Sequence, residues 1–183
     1  MTRRTQIRLS RNSQSGTSNC RQPGKLVVAK QLRNISYTGH RGVGAFSVWG
    51  DSCQSLRCNC RVCISESVIA TFRLRSSEHL SKQQRMCLEA QKLRIDSCSS
   101  LDIVHVAAGV CDAFVDCSKE GHERDCDIAA ATVIIRESGG DVYDANTLKS
   151  LELGAPTLLS ITDRRPVIAA CTSDLARNIF ETI

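Results

Sequence analysis

Aromatic side chains are scarce in this chain, at 4% of 183 residues, so its core has to be packed from aliphatic groups. No stretch approaches the roughly 18 to 20 consecutive apolar residues of a membrane span. The first 25 residues also lack the apolar segment of a secretory leader. The sequence therefore predicts an intracellular, cytoplasmic protein with no membrane partner. Acidic residues are missing from the first 50 positions, which hold nine Lys or Arg, and the first carboxylate is Asp51. The net charge of +5 thus hides a basic, Ser-rich beginning and a remainder in which acidic residues prevail. That beginning could suggest a nucleic-acid arm or a transit peptide. Arg3, Arg4, Arg8 and Arg11 have no interleaved aromatics on which bases could stack, and no amphipathic period, so both readings are disfavoured. Residues 1–24 read as a disordered tail, or as residues produced by a misplaced start or a frame error.

Cysteine, by contrast, is abundant, with eleven residues. With no export signal these read as reduced thiols. Cys53, Cys58, Cys60 and Cys63 invite a zinc reading, but no second Cys-x-x-Cys or His pair completes a module, and structural thiols are the better reading. A hydrophobic share of 42% with 23% charged residues suits one globular domain, placed at 25–183.

The chain is organised around Asp127-Ile128-Ala129-Ala130-Ala131-Thr132-Val133-Ile134-Ile135, continuing to Gly139-Gly140. Apolar residues occupy nearly the whole circumference, which predicts a helix buried between layers, with the glycine pair as its exit. Asp127 has two readings: an N-cap of that helix, or a metal or substrate ligand. Elsewhere the pattern predicts strands at Lys25–Ala29, at Leu56–Ile64, within 66–74, and at 93–96, 112–117, 141–144 and 167–170. Helices are predicted over 81–91, over 101–108 with Ser99 or Ser97 as cap, and over 174–182 capped by Thr172. Gly39-His40-Arg41-Gly42-Val43-Gly44 reads as a Gly-rich hairpin turn. His122, in the charged loop 119–125, reads as a solvated side chain. Strands alternating with helices predict a layered α/β architecture.

Three segments share one family likeness. Cys126-Asp127-Ile128-Ala129-Ala130 followed by Ile134-Ile135-Arg136-Glu137-Ser138-Gly139-Gly140 resembles the C-terminal signature of the inositol monophosphatase family of Mg2+-dependent, lithium-sensitive phosphatases. Arg94-Ile95-Asp96-Ser97-Cys98-Ser99-Ser100-Leu101 is similar to the family's Arg-x-x-Gly-Ser-x-Ala-Leu segment, and Asp112-Ala113-Phe114-Val115-Asp116 follows in the right order. With Thr162-Asp163-Arg164-Arg165-Pro166-Val167, the wording is nearest to the archaeal branch, which resembles both inositol monophosphatase and fructose-1,6-bisphosphatase.

The resemblance implies an α/β sandwich incomplete at its N-terminus, Mg2+ as cofactor and a small phosphate ester as partner. It places Asp127 as the last metal-binding carboxylate, and Arg94, Cys98, Ser99 and Lys119 at substrate-contacting positions. The family's Glu pair and Asp-Pro-Leu-Asp-Gly-Thr loop are not found in the sequence. Hydrolysis needs carboxylates holding two or three ions, so the expectation is a chain inactive by itself. The alternative is a truncated, non-catalytic domain or a sugar-phosphate binding protein. The missing portion should leave apolar surface and a sheet edge exposed, predicting a homodimer or association with an N-terminal half.

Overall fold

The computed structural model describes residues 26–30, 35–72, 77–95, 98–118, 121–153 and 164–183. The expected tail 1–24, Ser97 and Lys119 lie outside the described residues.

Among the described residues nine strands form two sheets. The first is antiparallel, in the order β1 (Leu26–Lys30), β2 (Ile35–His40), β3 (Gly44–Trp49) and β4 (Ser52–Ser55). The second is mixed and comprises β5 (Val68–Thr71), β6 (Lys92–Ile95), β7 (Ala113–Asp116), β8 (Asp141–Asp144) and β9 (Val167–Ala170), ordered β6-β5-β7-β9-β8. β5, β6 and β7 run parallel, and β9 lies antiparallel to both β7 and β8. The described residues also form four α-helices: α1 (Ser77–Glu89), α2 (Ser99–Ala107), α3 (Asp125–Glu137) and α4 (Ser173–Thr182).

α2 and α3 lie between the sheets, touching β1, β2 and β3 on one side and β7, β8 and β9 on the other. That position is what an all-round apolar helix requires. Ile128, Ala131, Ile134 and Ile135 are wholly buried, and each isoleucine so buried contributes about 2 kcal/mol. Gly139 closes α3 with φ +99, the exit its sequence predicts. The mixed sheet is covered on its other face by α4, with α1 beside it. Coverage on both faces explains why β7 and β9 are buried at every residue and read as unbroken apolar runs.

Two of the sequence motifs meet through one side chain. Glu137, at the end of α3, accepts from the Gly42 N–H at 3.0 Å and from the Gly44 N–H at 3.1 Å, so its carboxylate pins the β2–β3 turn to the central helix layer. At the far end of the chain Thr172 caps α4 as expected, its hydroxyl accepting from Leu175 N–H at 3.1 Å.

The strand expected over Leu56–Ile64 is not there. Residues 56–63 run without regular structure into a single 3-10 turn at Ile64–Glu66. Backbone bonds hold the first of these residues, Leu56 N–H donating to Ala45 O at 2.8 Å and Cys58 N–H to Ser138 O at 3.0 Å, and side chains hold much of the rest. The Asn59 amide donates to Gly109 O and the Asp112 carboxylate, Thr172 donates to Arg61 O at 2.6 Å, and Asn178 donates to Val62 O at 3.0 Å. The alternation of residue types here marks an irregular strap, not a ladder. Within it the Cys58 thiol is pushed up to about 12, first by burial and then by the neighbouring Cys171, whereas Cys53, Cys60 and Cys63 are exposed. Alkylation at pH 8 followed by peptide mass spectrometry should label those three at least about tenfold faster than Cys58, because the thiolate is the nucleophile. Equal labelling would contradict the buried position of Cys58.

Candidate functional site

The C-terminal end of β7, the N-termini of α2 and α3, and the segment 164–166 converge. Asp116 ends β7 and is 2% exposed. Its Oδ1 accepts from the Ser118 N–H at 3.1 Å and the Ser118 hydroxyl at 2.8 Å, and its Oδ2 accepts from the His122 N–H at 2.6 Å. The carboxylate thus folds the loop back on itself, as aspartate side chains do in turns. His122 is exposed, as a solvated loop residue would be, but it is not alone. Its Nδ1 lies 3.1 and 3.2 Å from the two Asp116 oxygens and 3.0 Å from Ser118 Oγ, and its ring packs edge-on against Phe72.

Glu123, next in the chain, is also 2% exposed. Its carboxyl is pushed up to about 7, chiefly by burial, with Asp116 and Asp127 adding to the rise and the Ser99 hydroxyl and His122 opposing it. Its carbonyl accepts from the Arg165 N–H at 2.9 Å, tying the loop to the approach of β9. Arg164 donates to the His122 carbonyl at 3.1 Å, and Arg165 Nε lies 3.0 Å from Asp125 Oδ1.

Asp127 is not the N-cap of its helix. α3 begins two residues earlier, after Arg124, whose backbone is extended at φ −101 and ψ 147. Asp127 therefore sits inside the first turn, where its charge still suits the positive end of the helix dipole. Its Oδ2 accepts from Arg124 Nε at 2.7 Å, and its side chain is about one-third exposed (36%). The N-cap reading of Ser99 is likewise replaced. Cys98 occupies that position without a side-chain cap bond, and Ser99 opens α2 with its hydroxyl on Glu123. The Ser100 hydroxyl donates to the Asp127 carbonyl, joining the two helices.

Ser99 and Asp127 are thus brought together around Glu123, with Cys98 adjacent. Arg94 is directed elsewhere. It stands level with Ala70 and, through it, Phe114, two residues short of Asp116, and its guanidinium donates to Cys111 Sγ at 3.7 Å, at the opposite end of β7. Asp116, Glu123 and Arg124 were not singled out from sequence. The one signal for Glu123 was an acidic residue four positions before Asp127 in a charged loop, which carries no mark of burial.

Asp116 and Glu123 are occupied within the protein, which leaves Asp127, among the described residues, as the carboxylate of this cluster with access to solvent. Among the described residues, no group of three or more His, Cys, Asp or Glu side chains is placed to hold a metal ion. Mg2+ takes six oxygens and commonly draws only one or two from carboxylates, the rest from water and substrate phosphate. Among the described residues Asp127 is the carboxylate of this cluster that could meet such an ion, on release of Arg124, and the described residues do not fit a multi-ion centre.

Residues 24–182 match the sequence pattern of the inositol monophosphatase family. The chain belongs to that family. It is 33% identical over 159 residues to inositol monophosphatase 2 of Homo sapiens, a match covering 80% of this chain and 47% of that protein. It is 34% identical over 138 residues to inositol-1-monophosphatase of Rhizobium meliloti, covering 70% and 48%. Its fold is that of a Pyrococcus horikoshii protein described as having similarities to inositol-1 monophosphatase, with a TM-score of 0.71, 22% identity, and 87% and 56% of the two chains covered. The chain spans about half the length of these family relatives. The layered α/β sandwich implied by the sequence resemblance is the fold observed.

Proposed function

We propose that this inositol monophosphatase-family chain is a Mg2+-binding domain for a small phosphate ester of the inositol or sugar-phosphate type, fructose bisphosphate included, and that alone it binds the ester without hydrolysing it. The observation that carries this reading is Asp127. It is a part-exposed carboxylate at a helix N-terminus, beside Ser99 and bonded to Arg124 and the Cys126 thiol, with no second accessible carboxylate among the described residues of its cluster. Bound Mg2+ would supply charge neutralisation to the phosphate. Arg94, Cys98, Ser99 and Lys119 are the residues proposed for the ester, Arg94 only after its side chain leaves Cys111. Turnover is assigned to association with an N-terminal half, or with a second copy of this chain. A cytoplasmic setting accords with the finding that no helix among the described residues is long and apolar enough to cross a membrane.

The test is a Mg2+ titration of the purified chain followed by amide NMR, alongside an assay of phosphate release from inositol 1-phosphate. Resonances of Cys126 and Asp127 should shift at millimolar Mg2+, Asp127→Asn should abolish the shift, and no phosphate should appear. Mg2+-dependent release by the chain alone would overturn the inactive reading. Unmoved Asp127 resonances would remove the ion site.

A further inference from the structure

Three thiols gather where the 56–63 strap crosses the end of β9, at the opposite end of the sheet from Asp116. Cys171 directly follows β9 and is 2% exposed. Its Sγ donates to Arg61 O at 3.6 Å, and the next residue, Thr172, donates to the same carbonyl. Cys60 precedes Arg61 in the strap and is exposed. Cys58 is the third. A Cβ added to Gly140 would lie 2.9 Å from its Sγ and 2.6 Å from Ala170 O, which places that sulfur beside the residue before Cys171. The three thiols act on one another, Cys171 and Cys60 both raising Cys58, and Cys60 raising Cys171. Arg61 and Val62 are held through their carbonyls by the Thr172 and Asn178 side chains and not by a ladder, so the strap can move at Cys60 without breaking a sheet.

We propose that Cys60 and Cys171 are a peroxide-responsive pair, Cys60 taking the oxidant at the surface and Cys171 closing on it in a disulfide that locks the strap to the start of α4. The oxidant is hydrogen peroxide. The Cys60 thiolate attacks one peroxide oxygen, the O–O bond breaks, and a sulfenic acid forms as hydroxide leaves. The Cys171 sulfur then attacks the sulfur of Cys60: the S–S bond forms, the S–O bond breaks, and the oxygen departs as water with the thiol proton. Two thiols thereby give up two electrons, and peroxide becomes two waters. Burial pushes the Cys171 thiol up, and because the thiolate is the attacking form, closure is the slower step. Two partners nearer in sequence are set aside. The Cys58 thiol is pushed up to about 12 and is a poorer nucleophile at neutral pH. Cys63 completes a Cys60-x-x-Cys63 spacing, but Thr172 at the cap of α4 and Asn178 within it hold the successive Arg61 and Val62 carbonyls, which draws the chain out between the two thiols. The pair stands apart from Asp127 and does not depend on ester binding.

The experiment is peptide mapping of the full chain, first reduced and freed of reductant, then exposed to a small excess of hydrogen peroxide, alkylated in urea and digested without reduction. A Cys60–Cys171 peptide pair should form and should disappear with dithiothreitol. Dimedone added with the peroxide should tag Cys60 and suppress the pair, because closure is slower than oxidation. Urea unfolding should show a higher midpoint for the oxidised than for the reduced protein, a gain that Cys60→Ser lacks, because a cross-link between distant segments restricts the unfolded chain. Cys171→Ser, whose hydroxyl can still donate to Arg61 O, should leave Cys60 as a longer-lived sulfenic acid. If Cys171→Ser does not fold, the wild-type map and Cys60→Ser decide. Cys171 still fully alkylated after oxidation, a link from Cys60 to Cys58 or Cys63 in place of Cys171, or a Cys171 link that survives Cys60→Ser overturns the proposal.

Discussion

At pH 8 the Glu123→Gln protein should be more stable than the wild type by about 3 kcal/mol, and at pH 5 the difference should shrink below about 1 kcal/mol. The Glu123 carboxyl stands at about 7 in the folded chain, against an ordinary 4.5, because it is buried beside Asp116 and Asp127. A raised acid binds its proton more tightly in the native than in the unfolded state. Its contribution is therefore fully present below 4.5, is lost progressively as pH rises through about 7, and is level above that. Glutamine keeps the shape and the partnership with Ser99 but cannot ionise, so the variant escapes the loss. Urea unfolding of both proteins from pH 5 to pH 8 checks this. A constant difference across that range would show that Glu123 does not titrate in the folded chain with the raised value.

Gly121→Ala should be among the most damaging single changes in the chain, costing about 3 kcal/mol or more. Gly121 has φ +67, where an L side chain adds roughly 1 kcal/mol of strain. A Cβ there would also lie 2.0 Å from the Arg165 carbonyl carbon, 2.3 Å from its oxygen and 2.3 Å from Pro166 N. These are backbone atoms that cannot swing aside, so overpacking adds a further few kcal/mol. The break should be local first. The Arg165 N–H, bonded to Glu123 O at 2.9 Å, should lose its hydrogen-exchange protection before the β7–β9 ladder does. An unchanged urea midpoint with Arg165 still protected would show that the two segments are not packed as described.

These two expectations bear on one structural fact: the 116–124 loop is held by the segment before β9, some forty residues later in the chain. Nothing in the loop's own sequence announces this. Periodicity located α3 and α4 and most of the mixed sheet, because the alternation or rotation of apolar groups is set by each element's own geometry. It failed at 56–64, where residue types alternate as in a strand but the backbone is irregular, its Arg61 and Val62 carbonyls taken by the Thr172 and Asn178 side chains. It also misplaced the cap of α3. Asp127 has the chemistry of an N-cap, yet the extended backbone at Arg124 starts the helix two residues earlier and turns that carboxylate outward to the arginine.

From the sequence alone come the layered α/β class, the family resemblance and the buried character of 128–135, since each is carried by residues close together in the chain. The tertiary structure alone decided that Glu123 is sealed against Ser99, that Asp116 aims His122, and that Asp127 rests on Arg124. Each of those depends on how far water is excluded where three or four distant segments meet, and solvent exclusion is a property of the packed whole that no local pattern encodes.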